Sequence, residues 1–417
     1  MNTQNNVAMI VWNEFRNDAR VLKEASTLQS AGYNVTVHAL HTPDITKKNE
    51  ILPNGIRVKR ISRSPLWKFR KPNIKPSSPL TTNNKKSLST RDPLFRILAR
   101  LIVRTYTHFG LIIQMIRSKP DIVHAHDVNT LPTAWLVSLL TRTPLVYDAH
   151  EVSTDREGYT RISKLVGWIE NYLMPRAVAT ITTTSIRAKF FARAYHINRP
   201  TVLQNRPTFQ HVNKTQRIRD ELNLPNPWPI ALYQGGLQQG RGLETLIKAA
   251  SQIPNTYFVF IGGGRLENKL HHLVQALALE DRVHFIPTVS LIELPSYTMS
   301  ADLGIQPLEN TCFNHFSTDS NKLFEYIMAG LPVVASNFPE IRHVINTYDV
   351  GILSKPGDMT SLVAAIQQLV SNSEQRKKYS SNTLVAAKDL SWEEQQDKLL
   401  NLYNNVTNLL NRKKIKH

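Results

Sequence analysis

A repeated order of short apolar run, amphipathic segment and short apolar run constrains this chain more than any other feature. Residues 7–12 read as a strand. Val21, Leu22, Ala25 and Leu28 then share one face of a helix that Asn17 can cap and Gly32 can end. Val35, Val37 and Ala39 alternate as the next strand. Strand, helix and strand at this spacing make a βαβ unit, which forces a parallel pairing. Further strands fall at residues 121–127, 144–151, 178–183 and 201–203. The pattern stops across residues 206–229, which hold Pro207, Pro225, Pro227 and Pro229, and restarts at residues 230–233, 257–261, 282–286, 301–306 and 332–336. The expectation is an α/β protein of two domains, residues 1–208 and 209–390. A long helix through Trp392, Leu399, Leu402, Tyr403, Val406 and Leu410 closes the chain.

Three stretches combine this scaffold with chemistry. In the first, Leu323, Phe324 and Ile327 form a helical stripe, preceded by the capping oxygens of Ser317, Thr318, Asp319 and Ser320. Gly330 suits a left-handed helix end, Pro332 cannot continue the helix, and Val333, Val334 and Ala335 read as strand. A helix N-terminus favours an anion. Asn321 and Lys322 stand in that first turn, and the Glu325 carboxylate, one turn on, can accept from sugar hydroxyls. The set suits a diphosphate joined to a ribose, although an ordinary capped core helix has the same pattern. In the second stretch, the loop from Gln234 to Gly242 carries Gly235, Gly236 and the cation Arg241, so backbone N–H groups can approach a phosphate. In the third, two strands end in paired His and acid residues: His126 with Asp127, and His150 with Glu151. The carboxyl ends of parallel strands are where ligands bind. Such pairs serve acid–base work or metal binding, but most histidines are structural.

The residues Asn321-Lys-Leu-Phe-Glu-Tyr326 followed by Ala329-Gly-Leu-Pro-Val-Val-Ala-Ser336 resemble the donor-site signature of the family 4 retaining glycosyltransferases. Asn17 to Ala25 is similar to that family's first helix, and Tyr147 to Glu151 to the segment whose histidine lies by the donor sugar and acceptor. The resemblance runs from Asn17 to about Trp392. It implies the GT-B fold: two Rossmann-like domains facing a cleft, with a final helix that crosses back to domain one. It also implies a nucleotide-sugar donor (UDP- or GDP-sugar), a glycan or lipid-linked acceptor, no cofactor and no metal. His150 and Glu325 become the catalytic candidates. Gly235, Gly236, Arg241, Asn321, Lys322 and Glu325 become the donor-binding set. Asn17, His126, Asp127, Glu151 and Glu309 become candidate contacts to acceptor or sugar. The chain departs from the family in two places. Ser317 replaces the first of its two signature glutamates, for which Glu309 is the candidate substitute. Gly236 replaces one of two diphosphate-gripping cations, which leaves Lys322 to compensate for it.

Composition decides the surroundings. The single cysteine, Cys312, allows no intramolecular disulfide and no cysteine metal cluster. No apolar run reaches spanning length, which points to a cytoplasmic protein. Residues 56–120 hold sixteen Lys and Arg against one acid, Asp92, and so +15 of the net +19. Within them, residues 62–92 read as a Ser-, Pro- and Lys-rich insert. The helix that follows repeats Arg96, Arg100 and Arg104 beside Leu94, Ile97, Leu98, Leu101 and Ile102. That face suits an anionic membrane surface on the inner leaflet, or is merely solvated. Two other readings remain open at this point: a nucleotide-sugar 2-epimerase on the same fold, and a basic nucleic-acid-binding protein. Against the second, the charge sits in one segment and no nucleic-acid motif appears, so no nucleic-acid partner is expected.

Overall fold

The computed structural model describes residues 4–16, 18–63, 94–156 and 162–415. Asn17 and most of the basic insert lie outside them. The chain divides into two compact units. One comprises Met1–Ser153, Lys164–Ile181 and Leu402–His417; the other comprises Thr154–Ser163 and Thr182–Asn401. By this division residues 182–208 go with the second unit.

In the first unit the strands are β1 (Asn6–Ile10), β2 (Asn34–His41), β3 (Asn49–Ile51), β4 (Arg57–Ser62), β5 (Ile122–His126), β6 (Leu145–Ala149) and β7 (Ala179–Thr182). Their order is β3-β4-β2-β1-β5-β6-β7. Pairings from β4 to β6 are parallel, and β3 lies antiparallel on the edge. Strands β1, β2, β5 and β6 are almost wholly buried, as parallel strands covered on both faces are; β2 reads as alternating in sequence, yet its intervening Thr36 and His38 are buried too. The first helix spans Ala19–Ser30, and its cap is Asp18, whose carboxylate accepts from the Val21 N–H. That corrects the assignment of the cap to Asn17.

In the second unit a short strand, β8 (Thr201–Val202), precedes the sheet of β9 (Ile230–Gln234), β10 (Tyr257–Ile261), β11 (Val283–Ile286), β12 (Leu303–Gln306), β13 (Val333–Ser336) and β14 (Gly351–Ser354). Its order is β11-β10-β9-β12-β13-β14, with every pairing parallel. Apolar side chains fill both of its faces. Leu232, Val259, Phe324 and Ile327 belong to one cluster, and Tyr233, Phe260, Leu246 and Ile366 to the other. The signature helix spans Asn321–Met328. Gly330 follows at φ +76°, and the Leu331 N–H returns to the Tyr326 carbonyl, so the glycine supplies the left-handed turn that ends the helix.

The last helix spans Glu393–Ile415, and the residues from Leu402 onward are part of the first unit. Among the described residues, no helix is long and apolar enough to cross a membrane.

Candidate active site

Parallel sheets bind ligands where the strand order reverses, at the carboxyl ends of the strands. The first unit reverses between β1 and β5, and a titratable cluster occupies that end. Residues two apart on a strand share a face, so His124 stands beside His126, and their rings stack with centroids 4.2 Å apart. Parallel register sets His126 opposite Asp148. Arg20, in the first turn of the Ala19–Ser30 helix, forks onto Asp148: its Nε lies 2.8 Å from Oδ2, and a terminal nitrogen lies 2.9 Å from Oδ1. Glu24, one turn on, has Oε1 3.1 Å from the same Nε. His150 donates from Nε2 to Asp148 Oδ2 at 3.0 Å, and its Nδ1 lies 3.8 Å from Asp127 Oδ1. On the far side Tyr403 Oη is 2.8 Å from His124 Nδ1.

Burial and these contacts pull each group's pKa in opposite directions. Burial would raise the Asp148 carboxyl, but Arg20 and His150 hold it well below the usual range. Burial would lower His150, but Asp127 and Asp148 raise it to about 9, so it is an imidazolium at neutral pH. Burial, with the Asp148 charge beside it, pushes Glu24 well above the usual carboxylate range, against the pull of Arg20 and His150. Burial lowers His124 and His126. Glu24, His124, His126 and Asp148 each bring one ligand-type atom within 4.8 Å of the others. The Arg20 Nε lies against both acidic side chains of this cluster, Asp148 and Glu24.

In the second unit the order reverses between β9 and β12. At the end of β9, Gly235 takes φ +125°, and a Cβ there would stand 2.6 Å from Cε and 2.9 Å from Nζ of Lys322. Lys322 therefore folds across bare backbone, with Nζ 5.5 Å from the Tyr233 ring centre. Burial and the neighbouring Arg241 push its ammonium down to about 8, against the pull of Glu325. Farther along the loop, a Cβ on Gly242 would meet the Pro307 carbonyl oxygen at 1.8 Å, so only glycine fits behind Arg241. The helix that carries Lys322 starts at Ser320, whose φ is +49° and whose side chain makes no capping bond. The expected side-chain cap is thus absent. A left-handed residue opens the helix instead, which leaves its first N–H groups without a side-chain acceptor from Ser320. Glu325 is half-buried and accepts from Gln234 Nε2 at 2.6 Å.

Among the candidates from sequence, Gly235, Gly236, Arg241, Asn321, Lys322 and Glu325 all belong to the glycine loop and the first turns of this helix. His126, Asp127 and His150 come together in the first unit. Glu151 follows His150 and is half-buried. Asn17 lies outside the described residues. Glu309 belongs to the second unit, where its N–H donates to the Gly240 carbonyl at 3.0 Å, against the glycine loop. Ser317 is fully buried, and its hydroxyl accepts from Arg187 Nε at 3.0 Å. Arg20, Glu24, His124, Asp148, Tyr403, Gln234 and Thr298 were missed. The two-residue spacing of His124 with His126, and of Asp148 with His150, was the available signal.

Residues 214–384 match the family of glycosyl transferases group 1, and residues 18–205 match the glycosyl transferase 4-like domain. The D-inositol 3-phosphate glycosyltransferase of Corynebacterium glutamicum is 22% identical over 308 residues, which are 69% of this chain and 72% of that protein. The fold is similar to that of sucrose-phosphate synthase from Thermosynechococcus elongatus, with TM-score 0.77 and 18% identity over 97% of this chain and all of that one. It is also similar to that of HepE from Anabaena, solved in complex with UDP-glucose, with TM-score 0.68 and 15% identity over 98% and 99% of the two chains. These neighbours carry the GT-B fold, and this chain shares it.

Proposed function

Because the chain belongs to the glycosyl transferases of group 1, its first half carrying a glycosyl transferase 4-like domain, we propose that it moves a sugar, with retention, from a nucleotide-sugar donor to a glycan or lipid-linked acceptor in surface polysaccharide synthesis. The observation that carries this reading is Lys322 folded across the glycine backbone at the end of β9, three residues before the Glu325 carboxylate. The donor diphosphate lies along the glycine loop, and its ribose hydroxyls donate to Glu325. Charge grows on the leaving phosphate as the glycosidic bond loosens. Lys322, Arg241 and the opening N–H groups of the Asn321–Met328 helix meet it, so the step runs without a metal. The complex of HepE with UDP-glucose supports a UDP-sugar as the first donor to try. The test is a panel of UDP-, GDP-, ADP- and dTDP-sugars, each with and without a chelator, read as donor binding and hydrolysis. Retention is read from the anomeric configuration of the product. Failure to bind any of the four classes overturns the reading.

Glu325→Ala is expected to weaken donor binding about 10- to 150-fold, since hydrogen bonds to a charged group contribute about 1.5–3 kcal/mol. Calorimetry with the identified donor checks this, and unchanged affinity removes Glu325 from the site.

The basic segment supports an inner-leaflet location. Residues 94–117 form one helix (Leu94–Arg117), and its Leu101, Ile102, Tyr106 and Phe109 are exposed. Arg104 donates to Asn129 at 2.9 Å and lies 5.3 Å from the Trp12 ring centre. The side chains of Arg96 and Arg100 are outside the described residues. We expect the protein to sediment with phosphatidylglycerol vesicles, less so at higher salt and after charge reversal at Arg96, Arg100 and Arg104. Each basic residue close to such a surface contributes about 1 kcal/mol. Indifference to these vesicles at low salt removes the membrane from the proposal.

A further inference from the structure

We propose that Gln234 is a positioning residue for the donor ribose: together with Thr298 it holds the Glu325 carboxylate in one orientation. This rests on the donor reading above and adds a residue to it. Gln234 ends β9 and Thr298 lies in the helix Leu294–Thr298; both are buried. The amide is spanned on both sides. Thr298 Oγ1 is 2.8 Å from Gln234 Oε1, and Gln234 Nε2 is 2.6 Å from Glu325 Oε2.

Chemistry fixes which way the amide faces. An ionised carboxylate only accepts, so the NH₂ must point at Glu325. The carbonyl then points at Thr298, whose hydroxyl can donate. A reversed amide would set a carbonyl oxygen against a carboxylate oxygen at 2.6 Å, with no proton between them. The same residue also holds the next position on the helix. Its backbone N–H donates to Tyr326 Oη at 3.1 Å, and that hydroxyl lies 3.3 Å from the Ile305 carbonyl. Glu325 and Tyr326 are thus both tied to the last residue of β9. A free glutamate samples several rotamers and loses that freedom when a ligand fixes it. Here the loss is taken on folding. One lone pair of Oε2 is used by the amide, which leaves the rest of the carboxylate oriented for a vicinal diol.

The test uses Gln234→Leu, Gln234→Glu and Thr298→Val in the full chain, with UDP, GDP and their 2′,3′-dideoxy analogues as probes. Gln234→Leu is expected to weaken the ribonucleotide that binds by up to about tenfold, the worth of one hydrogen bond, with kcat within about twofold. It should leave the dideoxy analogue untouched and add nothing on the Glu325→Ala background. Gln234→Glu places a second carboxylate against the first, so its loss should exceed that of Gln234→Leu. Thr298→Val gives a smaller loss in the same direction, and it decides the matter if the leucine variant does not fold. Equal weakening of the dideoxy analogue, or a full additional loss on the Glu325→Ala background, overturns the inference. If Glu325→Ala itself leaves UDP and GDP binding unchanged, the donor reading fails first. If it weakens them and none of the Gln234 and Thr298 variants does, only this inference fails.

Discussion

Replacing Lys322 with alanine is expected to lower kcat about 100- to 1,000-fold, the loss typical of removing one donor aimed at developing charge. The side chain lies across Gly235, close enough that a Cβ there would collide with it. The ammonium is therefore fixed before the donor arrives, and it loses little freedom when charge builds on the leaving diphosphate. With its own value lowered to about 8 by burial and by Arg241, the free enzyme holds Lys322 protonated only below that pH. The quantity kcat/KM reports the free enzyme, so it should fall as pH rises through about 8. Lys322→Arg stays charged and should lose that limb. Steady-state kinetics from pH 6 to 9 on the three proteins decides the point, and a wild-type profile flat through pH 8 would falsify the assignment.

His150→Ala is the second large effect, expected as about a 100-fold loss of transfer with donor affinity changed by less than about threefold. The placement follows the family segment that Tyr147 to Glu151 resembles, in which the histidine serves the sugar rather than the nucleotide. The structure adds a stability consequence of known sign. The folded His150 sits at about 9, above its ordinary 6.5, because Asp127 and Asp148 favour the imidazolium. A raised value means that the folded state holds the proton more tightly. The stabilisation is therefore complete below about pH 6.5 and is lost as pH rises through about 9. A shift of that size corresponds to on the order of 3 kcal/mol. Melting temperatures should thus decline across that window for the wild type and stay flatter for His150→Gln. Equal losses of transfer and donor affinity, with no change in the pH slope of stability, would assign His150 to packing alone.

What the sequence made legible was what short-range pattern controls. The Asn321–Met328 helix, its glycine end and the buried strand after it lie within twenty residues, and each leaves a local mark. The paired histidines were legible as strand ends. Their partners were not, because Arg20 and Asp148 are 128 residues apart, and His124 and Tyr403 are 279. Arg20 and Glu24 are not part of the apolar stripe of Val21, Leu22, Ala25 and Leu28, so nothing local marks them as buried. In the folded unit both are buried, Arg20 against Asp148 of β6 and Glu24 beside His124 of β5. Asn17 and Asp18 are equivalent as caps in pattern, and the carboxylate of the second is the one that reaches Val21. Gln234 read as the first residue of the glycine loop, although it ends β9. Its role came from Thr298, 64 residues on, and from Glu325, 91 residues on.

The bond between Tyr403 and His124 also bears on how the molecule comes into being. The first unit is discontinuous: most of it comes from residues before 182, but its last piece begins at Leu402. Domains usually mature in the order in which the ribosome delivers them. Here the N-terminal unit emerges first and is completed last, after residues 182–401 have been translated and can fold. Until then the His124 imidazole, buried against Tyr403 in the finished protein, has an open side. A nascent chain halted before Leu402 would thus hold a second unit able to finish and a first unit unable to. Removing the last sixteen residues should make the first half of the protein, not the second, the target of chaperones and proteases.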